Sequence, residues 1–210
     1  SEGDKLLTFS KIRAASQIMA NLPYVKGVRI GIKLPDTVNI MIEEESVVYA
    51  IKSSDGQWWM MDSDGRVVEQ ANNAKAATAT QVLGVTLEAP TVNEKGVATE
   101  MTPSETNELG ELIPVSTTGA QRLTAALQIL KALENNDIVG EAASVDVTST
   151  EDIILWYGTR YQVNLGDTSR LDYKVDCMND AILQMSDYQS GVLDISFTIW
   201  PNQVGYTPFA

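Results

Sequence analysis

The chain has 210 residues, with 15 lysines and arginines against 28 aspartates and glutamates, a formal net charge of -13, one cysteine and no histidine. A surface this negative repels phosphate and anionic lipid, which excludes nucleic acid as a natural partner, and a lone cysteine excludes an internal disulfide. The absence of histidine removes the Ser-His and Cys-His nucleophile pairs together with the commonest transition-metal ligand.

From the start of the chain, Phe9, Ile12, Ile18, Met19 and Leu22 recur near helical spacing, with Ser10 as a cap and Leu22-Pro23 as a stop. Val28, Ile30 and Ile32 then alternate with polar residues or glycine, and Val38, Ile40 and Ile42 repeat the pattern across a Pro35-Asp36 turn, which predicts a hairpin. Val47 to Lys52 reads as a third strand, Ser53 to Gly56 as a turn, Gln57 to Asp62 as a fourth strand and Arg66 to Glu69 as a fifth. A small-residue connector leads to the apolar strand Val82 to Leu87.

Periodicity stops between residues 88 and 118, where three prolines and six glutamates are opposed only by Lys95; this predicts a long exposed acidic loop. Gly119 to Asn135 follows as a helix with Leu123, Leu127, Leu130 and Leu133 on one face. Three short strands come next, at Ala143 to Thr148, Asp152 to Tyr157 and Arg160 to Leu165. A second helix from Asp167 to Asp187, capped by Asp167 or Thr168, carries Asp172, Asp176 and Asp180 on its solvent face and Cys177 as a packed thiol. Gly191 to Trp200 alternates as a last strand with Leu193, Ile195, Phe197 and Ile199 on one face, and QVGYTPFA reads as a tail.

No motif carries catalytic chemistry. Glu43, Glu44 and Glu45 are consecutive on a strand, so they point to alternate faces and make no acid and nucleophile pair. Asp62-Ser63-Asp64-Gly65 lacks the spacing of a calcium loop and reads as a turn. No catalytic residue, metal ligand or cofactor site is expected. Trp58 and Trp59 are the candidates for a carbohydrate-binding surface.

The order of elements, and several strings within it, resembles the extracytoplasmic part of the FtsQ/DivIB family of bacterial cell-division proteins. Leu22-Pro23-Tyr24-Val25, Leu34-Pro35-Asp36-Thr37 and Glu43 match that family's polypeptide-transport-associated (POTRA) domain. Ala50, Trp58, Asp62 to Gly65, Leu165-Gly166, Leu171 with Lys174, Gly191 to Ser196 and Val204 to Pro208 match its β domain. Glu44-Glu45-Ser46 departs from a basic residue and proline in many members, and residues 88–118 are longer and more acidic.

The resemblance implies an α+β chain in two parts. Residues 1–46 form a truncated POTRA-like domain of helix plus hairpin; residues 47–210 form a larger β domain with a mixed or antiparallel sheet packed by two helices and the acidic loop at 88–118. It further implies a non-enzymatic divisome scaffold that binds FtsL and DivIC (FtsB), with a septal transpeptidase as a further partner, and that coordinates septal cell-wall synthesis. The protein is then single-pass, with this segment outside the cytoplasmic membrane at the septum. The opening SEGDK has neither an initiating Met nor a signal-peptide apolar region, so the chain reads as a piece of a longer protein whose membrane helix lies upstream. The family contacts DivIC through a C-terminal sheet edge, which carries over here to Asp194, Ile195, Ser196, Phe197, Gly205 and Tyr206, with Phe197 and Tyr206 as anchors and Ile195 inward. A cell-wall or carbohydrate-binding β module using Trp58 and Trp59 is the alternative.

Overall fold

A computed structural model describes residues 10–44, 48–100, 117–198 and 202–209. Helix α1 (Lys11–Asn21) starts where expected, the Arg13 N–H donating to Ser10 Oγ at 3.3 Å. Strands β1 (Val25–Lys33) and β2 (Thr37–Glu44) pair antiparallel as a separate hairpin, with Ile30 opposite Ile40 and Ile32 opposite Val38. Matching apolar residues across the pair fixes this register, because a one-residue slip would turn them all to the other face.

The rest of the described residues build one nine-stranded mixed sheet, in the order β11 (Gly205–Pro208), β10 (Gly191–Asp194), β9 (Tyr161–Gly166), β8 (Ile153–Tyr157), β7 (Ala142–Asp146), β6 (Gln81–Leu87), β3 (Tyr49–Ser53), β4 (Trp58–Met61), β5 (Val67–Ala71). Strands β3 (Tyr49–Ser53), β4 (Trp58–Met61) and β5 (Val67–Ala71) form a meander whose turns use Gly56 and Gly65, at φ +81° and +82°. Asp62 Oδ1 accepts from the N–H groups of Asp64 and Arg66, so the Asp-x-x-Gly string folds as a turn. Strands β6 (Gln81–Leu87) and β7 (Ala142–Asp146) join in parallel, and β8 (Ile153–Tyr157) and β9 (Tyr161–Gly166) continue as a hairpin.

Helices α3 (Gly119–Asn135) and α4 (Leu171–Leu183) lie on one face of this sheet. Thr118 and Gln121 close a capping box at the start of α3, satisfying two backbone donors the helix leaves open. The helix then buries Leu123, Ile129, Leu130 and Leu133 against Val145, Leu155 and Val163 of the sheet, each large side chain contributing about 1.5–3 kcal/mol of transfer free energy. A second, smaller core on the opposite face gathers Ala50, Met60 and Val68 under the four-residue helix α2 (Asn73–Ala76). The sequence pattern misses α2, because a single turn of alanines between polar residues shows no apolar period.

The hairpin module contacts this second core. The Tyr24 hydroxyl donates to Glu69, which also pairs with Lys75; the Arg66 guanidinium donates to Val25 O, and Asn93 Nδ2 to Ala20 O. The Lys75 ammonium and then the Tyr24 hydroxyl hold the Glu69 carboxyl below its ordinary value, while burial first of all raises that of Tyr24. The expected division between residues 46 and 47 falls on residues 45–47, outside the described residues.

Residues 88–100 are largely exposed and without a named helix or strand, as expected, but they are tied to the sheet rather than free of it. They double back on the sheet: the Glu88 N–H donates to Val97 O, the Thr99 N–H to Thr86 O, and Ala98 is buried. Backbone hydrogen bonds hold this segment although its side chains lack a period. Residues 101–116 of the expected loop lie outside the described residues.

Helix α4 starts later than expected and without an Asp167 or Thr168 cap. Its first flanking residue is Arg170, in the left-handed region at φ 54°, with no side-chain cap. Asp167 instead turns the chain locally, its Oδ1 accepting from the N–H and Oγ of Ser169. The same oxygen accepts from Lys174, a lysine only 1% exposed, whose ammonium also donates to Leu165 O and Asp167 O at 2.8 Å. All three ammonium donors are therefore satisfied in the interior.

The hydrogen bonds from Ser169 and then Lys174 lower the Asp167 carboxyl from 3.8 to about 2. A carboxyl depressed on folding stabilises the native state above its unfolded value and loses that contribution as pH falls through the folded one. The acid limb of the stability curve is therefore expected to fall between about pH 4 and pH 2. Asp167→Asn should flatten it in that window when unfolding is followed by circular dichroism; an unchanged limb would contradict the assignment.

Candidate partner-binding edge

A sheet offers backbone hydrogen bonds to a partner only at its edge strands, which in the nine-stranded sheet are β5 and β11. The β5 edge is occupied where that strand begins. The Val67 N–H donates to Glu94 O, the Asn93 N–H to Val67 O, and Arg66 bridges Lys95. That leaves β11.

The C-terminal region departs from the expected single strand. Strand β10 (Gly191–Asp194) ends four residues after it starts, because Asp194 Oδ1 accepts from the N–H and Oγ of Ser196 and turns the backbone out of extension. Phe197 then sits at φ 59° and Asn202 at φ 57°. The segment expected to be a tail forms β11 (Gly205–Pro208), antiparallel to β10 with Leu193 opposite Tyr206. Strand β10 is thus interior, parallel to β9 on its other side, and the open edge belongs to β11.

Hydrogen-bond parity decides which backbone groups remain open. The N–H groups of Gly191 and Ile195 donate to Arg160 O and Asn164 O on the β9 side, while the Phe209 N–H donates to Ser190 O. Gly205 and Thr207 therefore turn their main chain to β10, and the N–H and C=O of Tyr206 and the C=O of Pro208 face outward. Proline has no N–H, so Pro208 can only accept.

Several side chains hold β11 in place. The Tyr206 hydroxyl donates to Ser190 O at 3.1 Å, and Phe209 stacks on Trp156 with ring centres 6.2 Å apart. The Arg170 guanidinium donates to Asn202 Oδ1 at 3.0 Å and lies 4.4 Å from the Tyr173 ring and 5.6 Å from that of Phe197. Among the expected site residues, Ile195 is fully buried in the main core, Asp194 and Ser196 form the turn, Phe197 packs half-buried against Tyr173, and Gly205 and Tyr206 lie on the edge strand. The structure thus brings Gly205 and Tyr206 to the open edge, and places Asp194 to Phe197 behind it. Trp156, Phe209 and Arg170 have no motif of their own in the sequence; their part comes only from where the fold places them.

A Cβ added at Gly191 would lie 2.3 Å from Thr207 O and 2.9 Å from Pro208 Cα. Gly191→Ala is expected to push β11 off β10 at a cost of about 1–3 kcal/mol. Faster hydrogen exchange at the Thr207 amide, with Val163 and Leu165 of β9 still protected, would register it; unchanged exchange at Thr207 would contradict it.

Neither Trp58 nor Trp59 presents a free ring. Trp59 Nε1 donates to Ser53 Oγ at 3.1 Å and packs on the main core; Trp58 packs on the second core, with the Lys52 ammonium 5.0 Å from its ring centre. Cys177 is half-buried rather than fully packed, and its thiol is the leading cause that raises the hydroxyl of Tyr173, one turn earlier on α4. Among the described residues no group of three or more acidic, cysteine or histidine side chains is placed to hold a metal ion.

No family model matches the chain. It is 25% identical over 185 residues, 87% of its length, to the cell division protein DivIB of Clostridium tetani, and 34% identical over 65 residues, 31% of its length, to the cell division protein DivIB of Clostridium acetobutylicum. The chain is thus similar to cell division proteins named DivIB, in the first case over most of its length.

The first of these alignments takes in 62% of the C. tetani protein and the second 26% of the C. acetobutylicum protein, so the chain spans about three fifths or less of the curated relatives it matches. The helix with hairpin, followed by a larger mixed sheet carrying helices, is the α+β arrangement expected from the sequence. No helix among the described residues is long and apolar enough to cross a membrane.

Proposed function

We propose that this chain is the extracytoplasmic part of a divisome scaffold, acting by assembly rather than catalysis, and that β11 receives an extended segment of a partner division protein. The observation that carries this reading is the open edge itself. Tyr206 and Pro208 offer main-chain groups at one end of a sheet whose other edge is bonded to residues 93–95 where β5 begins. Backbone pairing of this kind supplies affinity, and alternate side chains supply specificity. On this reading residues 1–46 form the partial POTRA-like domain and 47–210 the β domain. DivIC (FtsB) is the strand donor, FtsL and a septal transpeptidase are brought in with it, and a membrane helix upstream holds the assembly at the septum.

The test removes β11 and spares the core. A chain ending at Thr198 keeps Leu193 and Ile195, both fully buried, and so keeps the sheet closed over its helices. Titrated against the extracytoplasmic segment of DivIC, it is expected to bind roughly a hundredfold more weakly than the full chain, as loss of a short backbone ladder and one aromatic contact implies. Equal affinity from a folded truncated chain would overturn the proposal.

A further inference from the structure

The edge read above as a strand acceptor also determines what kind of strand it accepts. Resting on that reading, we infer that the segment pairing with β11 is apolar on both of its faces and net positive, rather than an alternating strand with one polar face.

The argument starts from side-chain parity along β11. Tyr206 lies opposite the buried Leu193, so Val204, Tyr206 and Pro208 point to the helix-bearing face, where Phe197 and Tyr173 continue the apolar surface. Thr207 and Phe209 point to the other face. There Phe209 is 42% exposed and stacks on Trp156. Each added strand places its side chains about 5 Å from those of its neighbour on the same face. A segment outside β11 therefore meets Tyr206 on one side and Phe209, backed by Trp156, on the other. A polar residue on either side would leave an aromatic contact unmade.

The open face also sets the charge. Across it the register aligns Ser144, Trp156, Gln162, Val192 and Thr207 in one row and Asp146, Ile154, Asn164 and Asp194 in the next. All except the exposed Thr207 are half-buried, and the helices that pack on these strands cover the other face. These rows hold two carboxylates and no lysine or arginine, in a chain of net charge -13. Neither Arg170 nor Arg160 belongs to these rows; they donate to Asn202 Oδ1 and to Asp187 O. A basic segment is attracted to such a surface and an acidic one repelled.

The experiment is selection of displayed random nine-residue peptides on the full chain, repeated on Tyr206→Pro and on Phe209→Ser. Proline at 206 removes the outward N–H together with the Tyr206 ring and its hydroxyl bond to Ser190 O, and leaves the backbone bonds of Gly205 and Thr207 to β10, a position where edge strands tolerate it; retained hydrogen-exchange protection at the Thr207 amide confirms that β11 is still paired in both variants. Peptides enriched on the natural chain are expected to carry apolar residues at consecutive positions and more Lys and Arg than Asp and Glu. Enrichment should fall roughly tenfold or more on Tyr206→Pro, whereas Phe209→Ser should admit alternating apolar and polar sequences. Alternating or net-acidic peptides selected by the natural chain, and still dependent on Tyr206, would overturn this inference while leaving the strand-acceptor reading in place. Enrichment that survives Tyr206→Pro, or the absence of any enriched peptide, would count against both.

Discussion

Lys174→Ala is expected to lower the unfolding free energy by about 2–5 kcal/mol, the range for truncating a fully buried long side chain. The lysine is almost wholly buried, and its ammonium joins Leu165 O, Asp167 O and the Asp167 carboxylate at the point where β9 hands the chain to α4. Alanine leaves the buried Leu165 carbonyl unpaired and opens a cavity where the four-carbon stem packed. Lys174→Met keeps most of the stem and should recover part of the loss, about 1–2 kcal/mol. Urea titrations of the three proteins should therefore order as natural chain, methionine, alanine, with similar slopes. Equal midpoints for all three would show that the ammonium contributes nothing.

Gly84→Ala has a comparable expected effect from a different cause. Strand β6 leaves register with β3 between Val82 and Thr86, and Gly84 sits in that bulge at φ +81°. A Cβ there would lie 2.2 Å from Thr148 N and 2.6 Å from Thr148 Cα, both backbone atoms that cannot rotate away. The Gly84 carbonyl also accepts from the buried Arg122 guanidinium at 3.4 Å. Left-handed strain and steric overlap together are expected to cost about 2–5 kcal/mol. Thermal unfolding is the measurement. Gly140→Ala is the control, because a Cβ at that position meets nothing within 4 Å and should leave the midpoint nearly unchanged.

The elements most legible in the sequence are those whose burial writes a period. Helix α3 occupies the expected Gly119–Asn135, since its leucines face a sheet along its whole length. The first hairpin follows its isoleucines and valines, and the Asp-Gly turns follow from residues that tolerate positive φ. What escapes the pattern is structure supplied by another part of the chain. Strand β11 has a glycine, a proline and four residues; alone it would not hold, and β10 together with the Trp156 ring makes it a strand. Residues 88–100 are ordered by backbone bonds that no side-chain pattern announces.

The site is split in the same way. Tyr206 and Gly205 were readable as edge residues only through the family's closing string, while Trp156 and Phe209 become neighbours only once β8 to β11 are assembled. Lys174 belonged to a recognisable string, yet nothing in that string indicates that its ammonium is buried.

Hydrogen exchange at the Tyr206 amide, with and without the extracytoplasmic segment of DivIC, bears most directly on the role proposed for β11. That N–H points away from β10 and has no strand beside it among the described residues, so it should exchange quickly in the free chain and slow roughly a hundredfold or more when a partner strand pairs with it. Protection should appear at Tyr206 while Gly205 and Thr207, already bonded to β10, change little. Tight binding that leaves the Tyr206 amide exchanging at its free rate would contradict the account.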